Sequence, residues 1–376
     1  MTIDSLLKSA KSAYKGERAN LICETLLAHF LGKNRVFLHA NSEKKIQDIL
    51  HLNKVAKSNI VNSPLDLHSA DFEIFEASQT PSLVSSSKIP PIGLRSKKNH
   101  ESQTENSSVA CECKIAESGK NTLSLRDSTQ RVESWQSTKS THDSAPHFTS
   151  AHSLKCALLK SISLLNNGFP LEYITKKASF YGMDFFIDCG ALIPRPETEL
   201  LVDKATQLIA THNISQIYEI GVGSGIIAIS LCLLNPRIHI TATDISPTAL
   251  KIAQKNIALK SAVDFTLKSR IRLICTDLLK GTNFAPKDSL IISNPPYIAE
   301  DYALPRNVAF EPKIALFGGK KGDEILQKII ALNADFLCCE IAHNQSYLAE
   351  ALGAYKSVEF YKDYAGFTRG FVAKRD

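Results

Sequence analysis

Apolar residues recur at helical spacing along the first part of the chain. Between residues 2 and 57 they return every three or four positions, which gathers them on one face of each predicted helix. Gly32 follows the longest of these runs, at a position where a glycine commonly ends a helix. We therefore predict a small helical bundle at residues 1–63, without a catalytic group of its own.

The apolar periodicity disappears between residues 64 and 150. Seventeen serines fall between Ser78 and Ser150, with Lys, Asn, Thr and Glu interleaved. Such a composition buries too little apolar surface to offset the entropy that a chain loses on folding. We expect an insertion without regular structure, and Trp135, the only tryptophan, lies inside it.

Regular patterns resume at residues 151–190. An apolar face that starts near Leu154 predicts a connecting helix that ends at Asn167 and Gly168, and residues 180–185 have the pattern of a β-hairpin. From residue 191 to 376, short apolar strands alternate with helices, which is typical of an α/β sheet with covered faces. The predicted strands are residues 216–220, 238–243, 272–276, 289–293 and 335–341, with an antiparallel pair near 357–361 and 368–373.

Composition and charge change this picture little. The net charge of +6 over 376 residues is diffuse, so we expect no stable nucleic-acid binding. The nine cysteines sit mostly in apolar runs, and the close pair Cys111 and Cys113 lacks partners at zinc-ligand spacing, so we expect no metal. Neither a signal peptide nor an apolar run of membrane length is evident. We expect a cytoplasmic monomer with no membrane partner.

A glycine-rich turn follows the first predicted strand of the α/β region. Residues 221–225 have the pattern G-x-G-x-G and lead into a helix that begins at Ile226. Glycines there let the backbone turn sharply and approach a ligand closely. A tight structural turn would need the same glycines, so the segment alone identifies no ligand.

Acidic residues end the next two strands. Asp244 stands at a position where its carboxylate can accept hydrogen bonds from both hydroxyls of a ribose. Asp277 stands at a position where its carboxylate or a backbone group can contact the amino group of an adenine. The glycine spacing also differs from the G-x-G-x-x-G of dinucleotide sites. Together these features favour S-adenosylmethionine over NAD and resemble class I methyltransferases. The alternative is that the glycine loop and the two acids are unrelated polar positions at the ends of three strands of an α/β fold.

The segment Asn294-Pro295-Pro296-Tyr297 follows the strand predicted at 289–293, so it lies on the same rim of the sheet as the glycine loop. The prolines fix φ and lack N–H groups. The carbonyl oxygens of Asn294 and Pro295 and the side chain of Asn294 are therefore available to accept hydrogen bonds from both N–H groups of a planar amide. Tyr297 can stack on the plane of that amide. We predict methylation of a planar amide-type nitrogen, with positioning supplying most of the acceleration. A turn that merely closes the strand is the alternative.

Beyond this core, the chain resembles the HemK/PrmC family of peptide chain release factor glutamine methyltransferases. The resemblance covers about residues 1–60 and 152–376 and lapses across the serine-rich stretch. The matching segments are LLAH at 26–29 with Arg35, NGFPLEYI at 167–174, LIPRPETELLV at 192–202, FEPKIAL at 310–316 with Gly318 and Gly319, and KDYAG at 362–366 with Arg369.

The resemblance implies a Rossmann-like class I methyltransferase domain at 191–376, a connecting helix and hairpin at 151–190, and an N-terminal helical domain that recognises the substrate. It implies transfer of a methyl group from S-adenosylmethionine, with S-adenosylhomocysteine as product. The acceptor would be the side-chain amide nitrogen of the glutamine in the Gly-Gly-Gln loop of release factors.

The resemblance also assigns site residues. The substrate glutamine would meet Asn294, Pro295, Pro296 and Tyr297, which form the catalytic segment. The cofactor would be held by Glu219, Gly221, Val222, Gly223, Ser224, Gly225, Asp244, Asp277, Leu278 and Asn294. Two further residues come from the chemistry of the segment 194–199 itself: Arg195 could hold a carboxylate or lie near the cofactor, and Glu199 helps to start a helix, so both could support the site without touching the reacting atoms. A segment that only begins the helix is the alternative.

Four positions depart from the family's pattern. Val222 replaces a common threonine, and Glu219 replaces the usual aspartate. Leu278 stands where an aromatic residue often packs on adenine, which weakens that contact. Lys176 follows Tyr-Ile-Thr where a glycine is usual, which alters the start of the hairpin. None of these changes removes a group that the chemistry needs.

Three other functions fit parts of the pattern. One is an adenine-specific DNA or RNA methyltransferase, which could use the same N-P-P-Y segment because the exocyclic amine of adenine is also planar. Such enzymes, however, need a basic recognition domain and an aromatic platform for the flipped base. Glutamine methylation of a ribosomal protein by a close relative stays open. A binding module without chemistry is disfavoured by the intact Asn294 and Tyr297 beside an intact glycine loop.

Overall fold

The computed structural model describes residues 1–51, 75–76 and 148–375. These residues fall in one compact unit, Met1–Gln79 with Ala145–Asp376. The serine-rich stretch expected to lack regular structure lies outside the described residues, apart from 75–76 and 148–150. Trp135, Cys111 and Cys113 also lie outside them.

The predicted helical bundle is present at the N-terminus. Gly32 ends its second helix with φ of 62°, as the sequence predicts. A further helix begins at Ile46 and is described to His51. Fully buried side chains fill the space between the helices, among them Ile3, Leu6, Leu26 and Leu27. The first three helices are Ile3–Ala13, Ala19–Leu31 and Arg35–Ala40.

The connecting segment divides between two parts of the structure. Its helix, Ala151–Asn166, joins the N-terminal bundle, because the Asn166 side chain donates to the Ala13 carbonyl at 3.0 Å and accepts from the Lys15 N–H at 2.9 Å. The predicted hairpin is also present, and its Phe180 and Phe185 belong to the core of the α/β sheet. A short helix, Leu171–Thr175, lies between them.

The strands in chain order are β1 Phe75–Glu76, β2 Lys177–Phe180, β3 Met183–Phe186, β4 Gln216–Ile220, β5 His239–Asp244, β6 Ile271–Cys275, β7 Leu290–Ser293, β8 Ile298–Ala299, β9 Phe317–Gly319, β10 Phe336–Glu340, β11 Ser357–Lys362 and β12 Thr368–Lys374. β2 pairs with β3, and β8 pairs with β9.

The α/β region forms a mixed sheet of the other eight strands, in the order β1-β6-β5-β4-β7-β10-β12-β11. All seven strands predicted for it are present, with ends within one residue of the expected positions. Five of them run parallel, and β12 and β11 are antiparallel at one edge. This is the predicted class I methyltransferase fold.

Helices cover both faces of this sheet. Neighbouring residues of β4 enter different cores, Ile217 on one face and Tyr218 on the other. Burial on both faces explains why the central strands are almost continuously apolar. The helices of this region are Thr198–His212, Ile226–Leu234, Pro247–Lys260, Leu267–Arg270 and Glu324–Ile330, with 3-10 turns at Val308–Phe310, Lys313–Ala315 and Ser346–Ala349.

Strand β1 departs from the prediction. It falls in the stretch expected to lack regular structure, yet it pairs in parallel with Ile274 and Cys275 at the edge of the sheet. Strand pairing is made by backbone N–H and carbonyl groups, which do not depend on the side chains. A two-residue strand therefore leaves no recognisable side-chain pattern in the sequence. The described residues include no helix with the length and hydropathy needed to cross a membrane.

Candidate active site

The parallel strands bring the predicted site residues to one edge of the sheet. The glycine loop follows β4, Asp244 ends β5, Asn294 follows β7 and Glu340 ends β10. Because parallel strands end at a common edge, groups far apart in sequence meet there.

The glycine loop turns by using backbone angles that favour glycine. Gly221, Gly223 and Gly225 have φ of 75°, 55° and 82°. The N–H of Gly221 donates to the carbonyl of Thr243 at 2.9 Å, which fixes the turn against β5. A Cβ on Gly225 would lie 3.1 Å from the Cβ of Ala253. Gly225 therefore allows the helix Ile226–Leu234 to lie close to the helix Pro247–Lys260, which contains Ala253. Residues 221–224, in contrast, face the side on which a ligand can bind.

A cavity of about 460 Å³ opens beside this loop, a size common for small-molecule sites. Glu219 and Gly225 do not line it. The other residues that the sequence assigns to a cofactor all lie on its wall: Gly221, Val222, Gly223, Ser224, Asp244, Asp277, Leu278 and Asn294.

The carboxylate of Asp244 is held in place by backbone donors. The N–H of Gly223 donates to one oxygen at 2.9 Å, and the N–H of Ser246 donates to the other at 2.8 Å. Burial raises the pKa of Asp244, and these hydrogen bonds oppose the rise. Each oxygen keeps a further lone pair, so the group can still accept two hydroxyls of a ribose.

An apolar wall lies next to Asp244. Ile245 follows it directly, is 54% exposed and lines the same cavity. Leu278 lines the cavity as well, with φ of 53°, a conformation that non-glycine residues seldom adopt. These two side chains can hold the face of an aromatic base. Sequence analysis missed Ile245, and its place after a strand-ending acid was the available signal.

Glu219 lies elsewhere than the sequence suggested. It is fully buried, and neither carboxylate oxygen has a hydrogen-bond donor in good geometry among the described residues. Burial raises the pKa of Glu219 well above its usual range, and the backbone of Ala228 opposes this only in part. Because side chains alternate along a strand, Glu219 faces the helix Ile226–Leu234 and not the rim.

The N-P-P-Y segment forms a partition between two cavities. Asn294, Pro295 and Pro296 line the first. A second cavity of about 250 Å³ is lined by Asn294, Pro295 and Tyr297, and its outer wall comes from residues 298–316. A group bound in one cavity would therefore meet a group bound in the other at Asn294 and Pro295.

A small parallel ladder holds this partition. Strand β8, directly after Tyr297, pairs with β9, and the N–H of Ile298 donates to the carbonyl of Leu316 at 2.9 Å. A Cβ on Gly318 would overlap the carbonyl oxygens of Pro296 and Gly322. Position 318 therefore needs glycine for the two segments to lie this close.

Glu340 is a site residue that sequence analysis missed. It is 1% exposed at the end of β10, and it accepts hydrogen bonds from the hydroxyls of Thr198 and Tyr297. Burial raises the pKa of Glu340 to about 7, although both hydrogen bonds oppose the rise. An acid at the end of an apolar strand was the available signal, as it was for Asp244.

Arg195 and Glu199 hold different parts of the structure. Arg195 lies on the walls of both cavities and forms an ion pair with the buried Glu311. Glu311 also accepts from the N–H of Ile193 at 3.0 Å. Glu199 accepts from the N–H of Tyr181 at 2.6 Å and so ties down the hairpin, and it lines neither cavity.

The first cavity has the chemistry that S-adenosylmethionine requires. It offers fixed acceptors for a ribose at Asp244, an apolar wall for a base at Ile245 and Leu278, and the glycine loop, whose backbone can approach the amino-acid end. Among the described residues, no cluster of three His, Cys, Asp or Glu side chains is close enough to hold a metal ion.

Comparisons with known proteins agree with this arrangement. The family model described as "Methyltransferase small domain" matches residues 198–309. That range begins at Thr198 and includes the glycine loop, both strand-ending acids and the N-P-P-Y segment.

Curated relatives extend the similarity beyond that domain. The chain is 36% identical over 220 residues to the release factor glutamine methyltransferase of Moorella thermoacetica, a match that covers 55% of this chain and 76% of that protein. It is 37% identical over 234 residues to the enzyme of the same name from Mycoplasma mycoides, covering 57% and 79%. A 39% identical match to that of Koribacter versatilis covers 43% of this chain and 57% of the relative. The resemblance seen in the sequence is thereby confirmed, and the chain belongs to the release factor glutamine methyltransferase family.

Proposed function

We propose that this protein transfers a methyl group from S-adenosylmethionine to the side-chain amide nitrogen of a glutamine. The proposed acceptor is the glutamine of the Gly-Gly-Gln loop of peptide chain release factors, and the proposed second product is S-adenosylhomocysteine. The observation that carries the proposal is the N-P-P-Y partition, because it gives a cofactor cavity and an acceptor cavity one shared wall.

The acceptor side of the partition suits a primary amide. Such an amide has two N–H donors and a nitrogen whose lone pair is delocalised into the carbonyl. The Nδ2 of Asn294 is engaged with the hydroxyl of Thr198 at 3.2 Å, so its Oδ1 is the atom left to accept from the substrate. Pro295 lies on the same wall, and its backbone carbonyl is proposed as the second acceptor. Two such acceptors would orient the nitrogen and increase its electron density.

Bound S-adenosylmethionine would supply an electrophilic methyl group on a sulfonium. The protein's own task is to aim the substrate nitrogen at that methyl and to keep water out. Tyr297, on the wall of the second cavity, can stack against the amide plane. Alignment of this kind accounts for large rate effects without a strong base, since the proton can leave after the nitrogen has become positive.

The helical bundle is proposed to choose the protein substrate. It continues into the segment at the second cavity, because Arg306 donates to the side-chain oxygen of Asn167 at 3.1 Å. The rings of Phe169 and Phe310 also meet edge to face, with centroids 5.3 Å apart. A protein held by the bundle would thus lie next to the wall that admits the glutamine.

The function is tested by incubating the protein with methyl-labelled S-adenosylmethionine and four acceptors. These are a release factor, the same factor with the loop Gln→Ala, ribosomal protein and double-stranded DNA. We expect label on the unmodified release factor alone. Label on DNA, preferential label on ribosomal protein, or equal label on the loop variant would contradict the proposal.

Asn294→Ala tests the role of the partition. Removing one acceptor aimed at the reacting group should lower kcat by about a hundredfold or more, while the affinity for S-adenosylmethionine, measured by calorimetry, stays largely intact. An undiminished rate in this variant would rule out the proposed arrangement of the acceptor.

A further inference from the structure

A chain of hydrogen bonds leads from the buried Glu340 to the part-buried Asn294. The hydroxyl of Thr198 donates to Oε2 of Glu340 at 2.7 Å, and Nδ2 of Asn294 donates to the oxygen of Thr198 at 3.2 Å. The hydroxyl of Tyr297 donates to Oε1 of Glu340 at 3.2 Å. Thr198 and Glu340 are each 1% exposed. One buried carboxylate is therefore connected to both ends of the N-P-P-Y segment.

The direction of these hydrogen bonds is fixed by the carboxylate. An ionised carboxylate only accepts, and a hydroxyl has a single proton to donate. Thr198 uses that proton on Glu340, so its oxygen can only accept from Asn294. The amide of Asn294 must then turn its NH₂ toward Thr198 and its Oδ1 away from it. The opposite rotamer would bring two acceptor oxygens together in a buried place, which is costly.

We propose that Glu340 is a positioning residue that, through Thr198, sets which atom Asn294 presents to the substrate. This inference rests on the proposed function, because the presented Oδ1 is useful only for an acceptor with N–H groups. A reversed Asn294 would offer N–H donors to the N–H donors of a glutamine amide. The same carboxylate holds the hydroxyl of Tyr297 and thereby the ring that faces the substrate.

The surroundings of Glu340 make this control sensitive to pH. The groups that face it are Thr198 and Glu197 at the start of one helix, Tyr297, Arg369 on β12 and Tyr361 on β11. Burial holds the pKa of Glu340 at about 7, with Thr198, Arg369 and Tyr297 favouring ionisation and Glu197 opposing it. Once protonated, the carboxyl can itself donate, and the direction of the hydrogen bonds is no longer unique. We expect kcat to rise with pH through this range.

The test compares Thr198→Val, Thr198→Ser, Glu340→Gln and, as a control, the exposed Glu359→Gln. Each is assayed for kcat, for KM of the release factor and for Kd of S-adenosylmethionine across pH. Thr198→Val keeps the shape but loses the hydroxyl, so kcat should fall about tenfold or more, with the Kd changed less than about twofold. Thr198→Ser should restore the rate. Glu340→Gln should lower kcat and flatten its pH profile.

The outcomes separate this inference from the function on which it rests. A wild-type protein that labels no glutamine contradicts both. A wild-type protein that labels the release factor, with Thr198→Val equally active, overturns the inference alone. So does a Glu340→Gln variant with a normal melting temperature and the wild-type pH profile. If Glu340→Gln fails to fold, the near-isosteric Thr198→Val decides the question.

Discussion

At the residue scale, the site depends on backbone segments that lie unusually close together. The carbonyl of Pro296 faces Gly318 across the β8–β9 ladder, and the carbonyl of Gly322 faces it from the other side. Two backbone oxygens cannot give way as a flexible side chain can. The position of the N-P-P-Y partition is therefore set partly by the absence of a side chain at residue 318.

Gly318→Ala should accordingly displace the partition. A Cβ there overlaps both carbonyl oxygens, so Pro296 must move, and a displacement of about 1 Å at a reacting centre costs about a hundredfold in rate. We expect kcat to fall by that order while the Kd of S-adenosylmethionine changes little. Gly353→Ala is the control, because a Cβ there meets only the Glu350 carbonyl at 3.3 Å. Equal rates for the two variants would contradict this view of the partition.

Several single residues show what a sequence pattern can and cannot assign. Asp244 and Asn294 were predicted because each stands at the carboxyl end of a strand. Glu219 was assigned to the cofactor from the family pattern, but the alternation of side chains along β4 turns it inward. Glu340 stands at a strand end as well, but its role depends on its hydrogen-bond partners, Thr198 and Tyr297, which the strand pattern does not show. Such partners come from distant parts of the chain.

At the element scale, strands buried on both faces were the easiest to predict. Strands β7 and β10 are apolar runs with a polar residue at the end, and β4, β5 and β6 are mostly apolar or β-branched, interrupted by Glu219 in β4 and Arg272 in β6. Strands β8 and β9 were not predicted, because two or three residues are too few to show an alternating pattern. The helix Leu171–Thr175 was not predicted either, because five residues make little more than one helical turn. Lys176 ends that helix with φ of 55°, which explains why the family commonly has a glycine there.

A single buried side chain, that of Asn256, also holds several elements together. The Asn256 side chain accepts from the N–H of Phe186 at 2.8 Å and donates to its carbonyl at 2.9 Å. It also donates to the carbonyl of Ser224 at 2.8 Å. One fully buried amide thus joins the hairpin and the glycine loop to the helix Pro247–Lys260.

Asn256→Ala should leave three backbone groups without their partner, the buried carbonyl of Ser224 and the part-buried N–H and carbonyl of Phe186. At about 1–3 kcal/mol for each such group, the free energy of unfolding should fall by about 3 kcal/mol or more. The affinity for S-adenosylmethionine should weaken as well, since Ser224 lies in the glycine loop. Denaturant unfolding and calorimetry measure the two effects. The exposed Asn283→Ala serves as the control, and equal stability of the two variants would show that Asn256 does not join these elements.

At the scale of the whole molecule, buried acids make stability depend on pH. Burial raises the pKa of Glu219 in the folded protein well above its usual 4.5. The folded state therefore holds this proton more tightly than the unfolded state does. The resulting stabilisation is present in full below the usual pKa and is lost as the pH rises toward the folded-state value.

Glu219→Gln should remove that part of the pH dependence. Relative to the variant, the wild-type protein should lose melting temperature as the pH rises from the usual carboxyl pKa of 4.5 into the neutral range. The titration of Glu340 is common to both proteins and cancels in the difference. The exposed Glu350→Gln should follow the wild type. A constant difference between wild type and Glu219→Gln across this range would show that Glu219 is not buried as described.

We propose that the partition between the two cavities directs a methyl group onto a glutamine side-chain amide. The most direct measurement is tandem mass spectrometry of a release factor after incubation with the protein and S-adenosylmethionine. With the wild-type protein, we expect one added methyl group on the amide nitrogen of the Gly-Gly-Gln glutamine. With Asn294→Ala, we expect none. A methyl group on any other residue, or an equal yield from Asn294→Ala, would contradict this proposal.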